Sequence, residues 1–131
     1  MVHQGDDQQI WDDAALVIND AVAHDIPATL LADEVHIILH VLDSLARRYA
    51  LLFLAGLIEP PAWVYENTSR FTNLIAFLQQ KFIEGTPDVI ITSQDAELIA
   101  KFSWLFTTTT REFIDYEIDE SILEAGSNDE N

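Results

Sequence analysis

The sequence predicts an all-α fold, a four-helix bundle-like single domain arranged around one long, central apolar helix. Three observations lead there. Apolar residues recur at three- and four-residue steps through four segments. Proline- or glycine-bearing breaks separate those segments. Hydrophobic residues make up 49% of the chain and cysteine is absent, so apolar burial must offset chain entropy without disulfides. At 131 residues the chain is the size of one domain with a real core. It is read as one acidic helical domain over residues 1–131, with residues 1–5 and 125–131 expected to be flexible.

The central segment runs from Pro27 to Ile58 and contains no glycine before Gly56. At about 100° per residue, Asp33, His36, His40, Asp43 and Arg47 form one narrow polar stripe. Leu31, Val35, Ile38, Leu42, Leu45, Tyr49 and Phe53 fall opposite. A helix apolar around most of its girth needs neighbours on several sides.

The first helix is expected from a cap at Asp6 or Asp7 to about His24, with Asp12 and Asp13 suiting the positive end of its dipole. His24-Asp25-Ile26-Pro27 is the break, and Pro27 suits the first turn of the central helix. That helix ends at Gly56 and Glu59-Pro60-Pro61, because consecutive prolines lack amide donors and impose extended geometry. Ala62 to Tyr65 are read as an aromatic connection, with Asn67 or Thr68 starting a third helix to about Glu84. Gly85 stops it. Val89-Ile90-Ile91-Thr92 is β-branched, but without an evident strand partner it is read as a buried extended linker. Ser93 caps a fourth helix expected to reach about Leu123, with Thr107–Thr110 as its weak point, since β-branched runs lower helix propensity. No internal repeat is legible.

Charge narrows the function. Acids number 23 against six bases, a net charge of −17. Residues 1–40 hold eight acids and no Lys or Arg, and residues 112–131 hold eight more and no base. Direct binding to nucleic acid or an anionic bilayer is disfavoured, because phosphate contacts need Lys and Arg. The longest uncharged apolar run, Tyr49 to Ile58, is too short to cross a membrane. Without a signal-like start or cysteines, a cytoplasmic location is expected.

Catalysis finds no foothold. No cysteine, Gly-x-Ser-x-Gly elbow or glycine-rich phosphate loop occurs, and neither an enzyme nor a cofactor is expected. Metal ligation has one candidate set, Asp33, His36 and His40, whose spacing on one helical face suits zinc or iron, with His24 and Asp20 available from the first helix. The competing reading is the solvated edge of a buried helix. The acids at the two chain ends are the stronger feature. If the first and fourth helices lie side by side, Asp6, Asp7, Asp12, Asp13, Asp115, Glu117, Asp119 and Glu120 merge into one negative face. Such a face suits a protein partner with a basic surface, standing where a nucleic acid's phosphates would, as an inhibitor does. A second expectation comes from the aromatic load on the third and fourth helices (Phe71, Phe77, Phe82, Phe102, Trp104, Phe106, Phe113, Tyr116). It exceeds what one narrow face of each requires and points to a homodimer.

Overall fold

The computed structural model describes residues 3–113. Four helices and a two-stranded sheet follow in the order α1 (His3–His24), β1 (Ala28–Leu31), α2 (Ala32–Leu54), α3 (Ala62–Glu84), β2 (Asp88–Ile91) and α4 (Ser93–Glu112). The all-α bundle is present, with a small sheet at one end. Helix α1 begins at His3, ahead of the Asp6–Asp7 cap. Residues 114–131, which include the expected continuation of α4 to Leu123 and the 125–131 end, lie outside the described part.

The sheet corrects two expectations at once. Ala28–Leu31 is a strand, not the first turn of the central helix, and it is the missing partner of the Val89–Thr92 run. The strands are antiparallel, with Ala28 opposite Ile91 and Leu30 opposite Val89. These four side chains are buried while Thr29, Leu31, Asp88 and Ile90 face outward. The pairing continues one step past the strands, where the Ala32 amide donates to the Pro87 carbonyl at 3.0 Å. A four-residue strand has little periodicity of its own, and its helical alternative loses only when a partner satisfies its backbone groups.

Around the sheet the chain divides into two αβα halves, a repeat that the residue identities hide. An offset of 60 residues aligns α1 with α3: buried Ala14 and Ile18 match buried Leu74 and Leu78. A left-handed residue follows each, Asp25 (φ 52°) and Gly85 (φ 76°), then Pro27 and Pro87. From the strands onward the shift is 61, matching buried Val35 with Ala96 and Ile38 with Ile99. Antiparallel pairing of equivalent strands is what a local twofold between the halves produces. The N-caps match too. Thr92 Oγ1 accepts from the Asp95 amide at 3.1 Å, whereas at Leu31 the Glu34 carboxylate accepts from the Leu31 amide at 2.8 Å. Each half uses one of the two bonds of a capping box.

Helices α1 and α3 run toward the sheet and α2 and α4 run away from it. Each of α1 and α3 packs on both α2 and α4, which also touch each other across the bundle. One core draws on all six elements, including Ile18, Leu30, Ile38, Leu78, Val89 and Phe102. The central helix is shorter than expected, ending at Leu54. Helix α3 is longer, because Pro61 stands at its N-cap and supplies the preset φ that helix starts favour. The residues expected to cap it lie inside: Asn67 Nδ2 donates to the Trp63 carbonyl at 2.7 Å and Thr68 Oγ1 to the Val64 carbonyl at 2.6 Å. The threonine run does not break α4. Thr108 and Thr110 donate their hydroxyls to the carbonyls of Trp104 and Phe106 at 2.8 and 2.9 Å, one turn back along the helix.

Gly85 holds φ 76°, and a Cβ added there would meet no atom within 4 Å, so only backbone strain opposes a side chain. Gly85→Ala should therefore cost about 1 kcal/mol, read as a lower urea midpoint with an unchanged slope. Tyr49 is buried against Phe106, ring centroids 4.9 Å apart. That burial, with Tyr65 adding its charge, pushes the Tyr49 phenol above its ordinary value of 10.0. A raised folded-state value means the linked stability is intact below about pH 10 and lost as pH climbs through it. Tyr49→Phe should accordingly unfold at higher pH than the natural chain in an alkaline titration followed by circular dichroism.

Candidate functional site

Two surfaces stand out, one charged and one aromatic. On the acidic surface, Asp7, Asp12, Asp13 and Asp20 are exposed along α1, and α1 carries no Lys or Arg. Gln8 and Gln9 donate to Asp12 and Asp13 at 3.0 and 2.9 Å, which orders the carboxylates without cancelling their charge. Asp20 accepts from His24 Nδ1 at 3.0 Å. Trp11 lines one cavity with Thr107 and Arg111, and Val22 lines another with Glu97 and Lys101, so α1 runs antiparallel to α4. The N-terminal half of α1, with Asp6, Asp7, Asp12 and Asp13, thus lies at the end of the bundle where α4 finishes at exposed Glu112. Asp115, Glu117, Asp119 and Glu120 lie outside the described residues.

The polar stripe of α2 does not converge into a set of metal ligands. Asp33, His36 and His40 are exposed, and the His36 ring stacks on Phe82 with centroids 4.8 Å apart and planes 11° apart. Asp43 pairs with Arg47 at 3.3 Å. Among the described residues no group of three or more His, Asp or Glu side chains is placed to hold a metal ion. Three ligands on one exposed helix face diverge unless a neighbouring element supplies a fourth, and here α3 supplies Phe82.

The aromatic load divides in two. Phe102 and Phe106 are buried and Phe71 is half-buried against them: Phe71 stacks on Phe102 at 4.2 Å, Trp63 meets Phe102 edge-on at 5.1 Å, and Phe102 and Phe106 are 5.8 Å apart. Phe77, Phe82 and Trp104 are exposed, Trp104 by 66%. Two cavities flank Trp104 along the α1–α4 seam. One of about 590 Å³ takes in Val22, Trp63 and Ala100, and one of about 400 Å³ takes in Trp11, Ala15 and Ser103. The sequence signal for this site was Trp104's position, about 200° around α4 from buried Phe102 at 100° per residue. Comparison with protein-family models, curated proteins and solved structures finds no match.

With His36 engaged by Phe82 and no converging ligand set, zinc in modest excess should shift the melting temperature by less than about 1 °C, because a ligand stabilises only in proportion to its preference for the folded state. A rise that disappears in His36→Ala would contradict this reading of the stripe.

Proposed function

We propose that the chain is a non-catalytic, acidic protein-binding module that occupies the basic surface of a nucleic-acid-handling partner. One observation supports it above the others. Asp7, Asp12 and Asp13 are exposed on a helix without Lys or Arg, at the end of the bundle where the chain leaves α4 for residues 114–131, which hold seven acids and no base. Carboxylates gathered at one end present a field that a basic groove receives as it would receive phosphates. The binding residues are Asp6, Asp7, Asp12 and Asp13 on α1, joined by Asp115, Glu117, Asp119 and Glu120. A second reading, a helical homodimer working through an aromatic face, draws on the exposure of Trp104. It differs in predicting association that rising salt does not dissolve.

Partners captured from host lysate at low salt should elute as salt rises, and duplex DNA should compete for them. Converting Asp6, Asp7, Asp12 and Asp13 together to Asn should weaken capture about tenfold or more at low salt and flatten the salt dependence, since only the charge-dependent part is screened. Capture that is indifferent to salt and to the four substitutions would refute the acidic-module reading.

A further inference from the structure

We infer that the protein forms a twofold homodimer through the outer stripe of α4, with Trp104 on the axis. This rests on the homodimer reading and names its surface. Along α4, Glu97, Lys101, Trp104, Thr108 and Arg111 recur at steps of four, three, four and three. That spacing is the seam by which one helix packs lengthwise on another. The stripe points away from the core, since Ile99, Phe102 and Phe106 are buried while Glu97, Lys101, Trp104 and Arg111 are exposed.

The other half of the molecule provides an internal control. The offset of 61 residues that aligns α2 with α4 places His36, His40, Asp43, Arg47 and Ala50 at the equivalent positions. Asp43 stands where Trp104 does, pairs with Arg47, and the half folds. The αβα architecture therefore does not require a large apolar side chain at this point. An indole 66% exposed adds little to the fold, and between grooves lined by Val22, Trp63 and Trp11 it extends an apolar surface that a partner can cover.

Charge order selects a second copy as that cover and fixes its direction. Glu97 lies seven residues before Trp104 and Arg111 seven after. An antiparallel α4–α4 pairing about a twofold at Trp104 sets each Glu97 opposite the second copy's Arg111, with Lys101 beside Thr108. A parallel pairing would instead oppose Glu97 to Glu97. Lys101 already holds Glu97 at 3.2 Å, which places the carboxylate on the seam. Space is present as well: the cavities on either side of Trp104, about 590 and 400 Å³, are floored by Ala15, Ala100 and Ser103, and these small side chains admit the second copy's indole. The contact is self-complementary, as a closed twofold demands.

The test is sedimentation and light scattering of the full chain from micromolar to near-millimolar concentration. The natural protein should reach twice its 14.8 kDa chain mass. Trp104→Ala should raise the dimer dissociation constant about tenfold or more with an unchanged helical dichroism spectrum. Glu97→Arg and Arg111→Glu should each weaken the dimer, and the two together should restore it. Asp43→Ala, the control on α2, should change nothing. A natural chain that stays monomeric throughout would overturn the homodimer reading itself. A dimer unaffected by Trp104→Ala and Glu97→Arg would overturn this face and leave that reading standing, and a double reversal that fails to restore pairing would overturn the antiparallel register.

Discussion

Eight residues of antiparallel backbone, Ala28–Leu31 against Asp88–Ile91, set the frame for everything else. Each strand follows a left-handed turn and is followed almost at once by a helix, so pairing the strands decides which way four helices point. The buried side of the ribbon (Ala28, Leu30, Val89 and Ile91) closes one end of the core. Ser93 adds a tie by donating to Asp25 at 2.6 Å, linking the turn after α1 to the start of α4. Without the ribbon the two halves would share only helix contacts, whose direction ridge-and-groove packing leaves open.

Because the ribbon relates two like halves, comparison between them separates what the architecture needs from what it carries. The capping turns, the left-handed residues before each strand and the buried positions next to the sheet (Ala28 with Val89, Leu30 with Ile91, Val35 with Ala96, Ile38 with Ile99) agree in both. The outward stripes do not: α2 presents histidines, an aspartate and an arginine, and α4 presents a tryptophan between charges of opposite sign. Core positions are constrained by packing in both halves, whereas outer stripes are free to diverge toward separate uses.

The same geometry sorts charge from apolar surface. Antiparallel α1 and α4 bring the exposed acids of the first half of α1 to the end of the bundle where α4 finishes, while the aromatic seam runs along its side. A basic partner at the end and a second copy along the side would not compete for the same residues. The two proposals concern different surfaces and respond differently to salt, one resting on screened charge and the other mainly on apolar burial, with the Glu97–Arg111 pairs setting its register.

Composition and periodicity alone determined that the chain is helical and strongly acidic, where three of its breaks fall (around Pro27, Pro60-Pro61 and Gly85), and which side of α2 faces inward. Each of these follows from local chemistry: proline removes a donor, glycine tolerates positive φ, and apolar residues mark a buried face. Tertiary structure decided the rest. Ala28–Leu31 is a strand only because Asp88–Ile91 lies beside it, and Asn67 and Thr68 are interior to a helix because Pro61 starts it earlier. The repeat stayed hidden because equivalent positions share burial and backbone angle but seldom a side chain, as Ala14 with Leu74 and Leu30 with Ile91 show. Whether His36 meets a metal ligand or a phenyl ring, and whether Trp104 looks inward or out, depends on which neighbour the ribbon brings alongside.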